Sequence, residues 1–216
     1  MPGHDIIAVG FSAGGIEALA RLVSALPRDL PASLFVVHHF PADRVSALPN
    51  ILRRSGDLPA IHPAHGQRIE RGLIYIAPPD RHLLIEGSRI HLTRGPRENG
   101  HRPAIDPLFR SAARAFGPRV VAVLLSGALD DGVAGLDAVK RRGGVTVVQD
   151  PGDALCPSMP RSAIQRVAVD HVVPSAELAP LLTLLATEPA ATKGAPSIDS
   201  VARDEEQPDL ATADQR

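Results

Sequence analysis

The chain has 216 residues with one cysteine (Cys156), six aromatic side chains, and 23 basic against 24 acidic residues. That length buries a sizeable core without a disulfide or metal. The lone cysteine excludes a disulfide framework and a cysteine-rich zinc site, and balanced charge with few aromatics excludes general nucleic-acid binding. The start, MPGHDIIAVGFSAGG, lacks a basic segment followed by a long apolar run, and no stretch of about 18 apolar residues occurs. A cytoplasmic protein with no membrane insertion is therefore expected.

The predicted elements alternate. Asp5–Gly10 reads as a short buried strand, and Gly15–Leu26 as a helix with Ile16, Leu19, Leu22, Val23 and Leu26 on one face. Leu34–His38 is a second strand. Asp43–Arg54 is predicted as a helix disturbed by Pro49, and residues 60–71 take no assignment. Leu73–Ala77 and His82–Ile85 read as strands, with Glu86-Gly87-Ser88 turning into Arg89–Leu92. Arg94–Arg102 is a polar loop carrying Arg94, Arg97, His101 and Arg102. Ile105–Phe116 is a helix, Val120–Leu125 an apolar strand, and Val133–Arg142 a helix stopped by Gly143-Gly144. Val145–Val148, Ser158–Gln165 and Val167–Val172 follow as strand, helix and strand. Ser175–Ala186 closes the domain as a helix with Ser175 as its N-cap. From Glu188 onward the composition turns to Ala, Pro, Asp and Glu, with seven acids against three bases. Such a segment buries too little to offset its ordering entropy. The expected organisation is a folded domain over 1–187 and a disordered acidic tail over 188–216.

Apolar strands alternating with helices predict an α/β fold: a doubly wound, mostly parallel sheet flanked by helices, with a small antiparallel hairpin insertion. Reactive groups in such sheets gather beyond the carboxyl ends of the strands. Gly10-Phe11-Ser12-Ala13-Gly14-Gly15 follows the first strand. It lacks the middle glycine of a dinucleotide fingerprint and the Lys-Ser/Thr of a P-loop, but it fits the G-x-S-x-G turn that exposes a nucleophilic serine. The plainer alternative is a glycine-rich turn with Ser12 as an N-cap. His38-His39 follows the second strand; either imidazole could act as a base, and side-chain alternation points only one of them at the site. Asp130-Asp131 follows the apolar strand, where one aspartate could orient that base and the other cap the next helix. His62-x-x-His65 is a loose metal-like pair without an acidic or cysteine neighbour, so no metal is expected. Cys156 and the strand-borne His82, His91 and His171 are read as structural.

Taken together, the segments AVGFSAGGIEAL, FVVHHFP, YIAPPDRHLL, HRPAIDPLFRSAA, VAVLLSGALDDGVAGL, GGVTVVQDPGDALCPSMPRSAI and VDHVVPSAEL resemble the catalytic domain of CheB-type protein-glutamate methylesterases, from about Ile6 to about Leu185. The resemblance implies a Ser-His-Asp esterase with Ser12 as nucleophile, His39 (directly before Phe40-Pro41) as base and Asp131 (directly before Gly132) as acid. It implies hydrolysis of glutamate γ-methyl esters on cytoplasmic helices of methyl-accepting chemotaxis receptors, and deamidation of receptor glutamines, without cofactor or metal. The Ala13 N–H is the expected oxyanion donor, with a second from the Gly127-Ala128 loop. The chain departs from the family's usual residues at Ala13, at His38 and Phe40, and over Ser126–Leu129. With its first strand at Asp5 it leaves no room for the receiver domain that family members commonly carry, so constitutive activity or a separate regulatory protein is expected. The rival reading is a retargeted signalling module that binds a partner through the same fold.

Overall fold

The computed structural model describes residues 3–40 and 46–189. Seven parallel strands form one sheet: β1 (Ile6–Phe11), β2 (Ser33–His38), β3 (Ala60–Ile61), β4 (Ile74–Ile76), β7 (Val120–Leu124), β8 (Val145–Gln149) and β9 (His171–Val173). Their spatial order is β3-β4-β2-β1-β7-β8-β9. A separate antiparallel pair, β5 (His82–Glu86) and β6 (Arg89–Thr93), is the expected hairpin insertion.

The sheet is buried on both faces because each strand is apolar at successive positions. In β1, Ile7, Val9 and Phe11 enter the core beneath helices α1 (Gly15–Ala25), α2 (Leu48–Ser55) and α6 (Leu178–Thr187). Ile6 and Ala8 enter the opposite core, beneath α3 (Ile105–Phe116), α4 (Val133–Arg141) and α5 (Ser158–Arg166). This is the period-two alternation of an extended chain placed between two helical layers. At the base of the sheet, buried Asp5 accepts a bidentate pair from Arg119 at 2.8 and 2.7 Å and a further hydrogen bond from Arg71 at 2.8 Å.

The chain winds outward from β1 through β2 to β4 and β3, then returns to the far side of β1 at β7. The point between β1 and β7 is thus the topological switch, where strand-end loops splay apart and leave a crevice. The register aligns those ends: Phe11 lies opposite His38, and Gly10 opposite Leu124. Ser12 and His39, each next in the chain, therefore emerge at one level.

Several boundaries differ from the sequence reading. The strand at 60–61 was not anticipated; two residues are too short for a periodic signal. Helix α2 begins at Leu48, which puts Pro49 in the first turn, where its missing N–H costs nothing. Positions 43–45 of the predicted helix lie outside the described residues. The last strand spans only 171–173, since Asp170 spends its carboxylate on the N–H and hydroxyl of Thr146. Ser175 does not cap the closing helix: it begins a 3₁₀ turn, its hydroxyl accepts from Arg21, and its N–H donates to Asp153. The tail from residue 190 lies outside the described residues. No helix among the described residues is long and apolar enough to cross a membrane.

Candidate active site

The turn after β1 carries Ser12 into the crevice. Ser12 donates its N–H to the Ser126 carbonyl at 2.9 Å, tying this turn to the end of β7. Gly14 takes the left-handed conformation (φ 73°), and a Cβ there would stand 2.6 Å from Leu155 Cβ; glycine meets both demands. At Gly10 a Cβ would fall 2.3 Å from Ile105 Cγ2, so glycine also lets the start of α3 close onto β1. Ser12 itself has no positive φ: among the described non-glycine residues only Asp80, Asn99 and Leu129 do. The turn exposes its serine without the backbone strain of an α/β-hydrolase elbow.

The structure brings together the three residues singled out at the strand ends. His39 Nδ1 lies 3.1 Å from Ser12 Oγ, and His39 Nε2 lies 2.7 Å from Asp131 Oδ2. An ionised carboxylate only accepts, so Nε2 carries the proton toward Asp131 and Nδ1 is left free to accept from the serine hydroxyl. His39 is nearly buried, with 8% of its side chain exposed. The neighbouring His38 points the other way. Its ring stacks on Phe11 at 5.1 Å, its Nδ1 has no partner, and burial, with the nearby His39 and His62, lowers its pKa to about 4. Asp130 pairs with Arg166 at 2.8 Å and does not face the histidines. It does not cap α4 with its side chain either; Gly132 occupies that position.

Asp131 is buried at 2% exposure yet keeps a lowered pKa. Burial pushes it up, but the hydrogen bonds from His39, the Ile105 N–H and Asn99 outweigh that penalty. Ile105 donates to Oδ2 at 2.7 Å and Asp106 donates to Oδ1 at 3.2 Å. These are the first N–H groups of α3, so the carboxylate sits at the positive end of a helix.

The sequence reading assigned no part in the site to two components, and both come from the polar loop at Arg94–Arg102. Asn99 Nδ2 donates to Asp131 Oδ1 at 2.8 Å. The His101 ring lies flat on that of His39, with centroids 3.5 Å apart and planes 7° from parallel. Burial first, then the adjacent His39 and Arg97, lowers the His101 pKa, which favours the neutral ring against its partner. Much of the loop's charge is spent internally: Arg102 forms a salt bridge with Asp80 at 2.6 Å, joined by Arg94 at 3.5 Å. His82 clamps the loop at both ends, donating to the Pro96 carbonyl and accepting from the Ala104 N–H. Only the left-handed φ of 51° at Asn99, a conformation asparagine tolerates well, gives this residue a local signal.

The backbone beside Ser12 offers donors. Among the described residues the N–H groups of Ala13 and Ala128 have no acceptor, whereas Gly127 donates to the Cys156 carbonyl at 2.9 Å and Leu129 to Ser158 Oγ at 3.1 Å. The expected contribution from the Gly127-Ala128 loop therefore narrows to Ala128. His62 and His65 turn their Nδ1 atoms to backbone groups of Ile76 and Leu92. No cluster of three or more His, Cys, Asp or Glu suited to a metal occurs among the described residues.

The family model for CheB methylesterase matches residues 7–182. The chain belongs to the CheB methylesterase family. A protein-glutamate methylesterase/protein-glutamine glutaminase of Methanosarcina mazei is 33% identical over 184 residues, covering 82% of this chain and 50% of that protein. A putative one from Leptospira interrogans is 36% identical over 183 residues, covering 84% of this chain and 95% of that protein. The crystal structure of the Thermotoga maritima CheB methylesterase catalytic domain superposes with a TM-score of 0.80 at 29% identity, over 86% of this chain and 99% of that domain. The chain spans about half the length of several curated relatives it matches, 45% in the case of Moorella thermoacetica.

Proposed function

We propose that this protein is a serine esterase that hydrolyses glutamate γ-methyl esters on methyl-accepting receptors, with Ser12 as nucleophile, His39 as general base and acid, and Asp131 as the residue that orients His39. The observation that carries this reading is the uninterrupted path from Ser12 Oγ through His39 to Asp131, with contacts of 3.1 and 2.7 Å. It lies beside the unspent N–H of Ala13. Family membership supplies the substrate class.

In this scheme Ser12 Oγ attacks the ester carbonyl as its proton passes to His39 Nδ1. Negative charge develops on the former carbonyl oxygen; the N–H groups of Ala13 and Ala128, which have no acceptor among the described residues, are the donors assigned to it in this reading. Asp131 stabilises the imidazolium and fixes its tautomer. His39 then protonates the departing methoxide, giving methanol and an acyl-serine. Water attacks this acyl group with His39 again as base, the bond to Ser12 Oγ breaks as His39 returns the proton to it, and the receptor is left with a glutamate side chain. The same steps on a glutamine side chain would release ammonia, in keeping with the glutaminase names of the relatives.

The test is methanol release from a methylated receptor cytoplasmic fragment, comparing the wild type with Ser12→Ala. The variant is expected to lose about 10³-fold or more in turnover while still binding the fragment. Equal release by both proteins would exclude Ser12 as nucleophile. No release by a folded, receptor-binding wild type would exclude the esterase reading on this substrate and leave a binding module.

A further inference from the structure

We propose that Asn99 is a positioning residue of this site: its side-chain amide separates two buried carboxylates, Asp131 and Asp106, and holds Asp131 in register with His39. The kinetic part of the argument rests on the esterase reading above; the structural part does not.

Asn99 Nδ2 donates to Asp131 Oδ1 at 2.8 Å and to Asp106 Oδ2 at 3.0 Å. Both acceptors are carboxylate oxygens, so the amide must present its nitrogen and not its oxygen. Both acids are almost fully buried, at 2% and 5% exposure. Asp106 is held on its other side by the Gly135 N–H at 2.6 Å. Burial raises the Asp106 pKa and the adjacent Asp131 charge raises it further. Two like charges this close, out of water, repel strongly unless a donor stands between them. Asn99 is that donor.

Its loss has a directional consequence. Asp131 Oδ1 would keep only the longer 3.2 Å bond from the Asp106 N–H. Asp131 would present more negative charge to His39 Nε2, and Asp106 would repel it less screened. Both changes favour retention of a proton by the His39–Asp131 pair, so the pair titrates at higher pH as a unit. The other charged or titratable groups bearing on this cluster are His101, which stacks on His39, and Arg97. Arg110 on α3 bears on Asp106 and is paired with Glu98, Asp130 is paired with Arg166, and Asp137 on α4, which lines the same cavity as Asn99 and Asp106, is paired with Arg141. None of them replaces the lost donor.

Two substitutions separate the amide from the backbone. Asn99→Gly keeps the left-handed conformation and removes the side chain. Asn99→Asp keeps shape and conformation but turns the donor into a third acceptor. The space vacated in Asn99→Gly joins an existing cavity of about 320 Å³ lined by Asn99, Asp106, Asp130 and Arg166, so the packed core is not disturbed.

The experiment measures the acid limb of the kcat/KM profile on a methyl-ester substrate. It also follows, by NMR of ¹⁵N-histidine-labelled protein without substrate, the titration midpoint of the His39–Asp131 pair. In Asn99→Gly the limb and the midpoint should move up by about half to one pH unit, and in Asn99→Asp further. At neutral pH, kcat should fall about tenfold with KM changed by less than about twofold. A role confined to loop structure would lower the rate or Tm at all pH values without moving either midpoint. Midpoints of both variants within about 0.2 unit of wild type, at the precision such titrations allow, overturn the proposal whatever the rates. Should the wild type show no turnover, the esterase reading fails, and the NMR titration still decides the role of Asn99.

Discussion

Replacing Gly127 by alanine places a methyl group in a tight space beside Ser12. A Cβ at this position would stand 2.4 Å from Met159 Cε, 2.9 Å from Met159 Sδ and 3.1 Å from Ser12 Cβ. Carbon atoms in ordinary contact lie about 3.5–4.0 Å apart, so the thioether must withdraw by about 1 Å or more. Met159 is adaptable but fully buried, and it lies in the core beneath α3–α5. Residue 127 cannot retreat easily, because its N–H donates to the Cys156 carbonyl at 2.9 Å and its carbonyl accepts from the Met159 N–H at 3.0 Å. Overpacking of this kind costs about 1–3 kcal/mol, or roughly 3–10 °C in Tm for a domain of this size. The strain not absorbed by Met159 falls on Ser12 Cβ and displaces Oγ from its 3.1 Å contact with His39. A displacement of a few tenths of an ångström or more should lower kcat by about 10–100-fold with little change in KM. The assay is steady-state hydrolysis of an activated small ester, alongside thermal melting. Adding Met159→Ala to the same chain should relieve the clash. Alone, that change leaves a cavity and costs about 2–5 kcal/mol; in combination, the total should fall short of the sum by at least about 1 kcal/mol. Wild-type kcat and Tm in Gly127→Ala, or strict additivity in the pair, would refute the reasoning.

Two further expectations concern stability. Leu129 is 68% exposed and holds a φ of 67°; left-handed backbone costs a side-chain-bearing residue about 1–2 kcal/mol, partly offset in glycine by the freer unfolded chain. Leu129→Gly should therefore raise Tm by about 1–4 °C, and a fall would mean that the leucine side chain is held by packing. His38 is buried and neutral, with its pKa lowered to about 4, so between roughly pH 6.5 and pH 4 the unfolded chain binds the extra proton and stability declines as pH falls. That contribution is complete above about pH 6.5 and reaches about 3 kcal/mol in total. In His38→Phe, which keeps the stack on Phe11, chemical denaturation should lose this slope, and an unchanged slope would assign it to another group.

The layered fold was legible because its determinants are local. The all-apolar run Val120–Leu124 and the 3.6-period of α1 are signals confined to a few neighbouring residues. Ser12 and His39 each follow a strand directly and Asp131 sits in the loop between β7 and α4, and a doubly wound sheet gathers strand-end loops by its topology. Residues alone did not separate His38 from His39 or Asp130 from Asp131; the family resemblance chose between them. In the structure the choice comes down to pleat direction: His38 continues β2 into the core, and His39 turns out to Ser12. Strand β3 has no assignment from the sequence and the start of α6 differs from its expected cap, because two-residue pairings and 3₁₀ turns depend on distant partners.

The order of the layers and the chemical types at the strand ends follow from the chain alone, since both are written in nearest-neighbour patterns. The way Asp131 is held follows instead from long-range packing. Its partners are the start of α3 and the loop at 98–104, which lie 25 to 32 residues away in the chain and bring their donors together around one buried carboxylate. No local pattern encodes that convergence. It arises because Gly10 lets α3 close onto β1 and because His82 pins the loop against it.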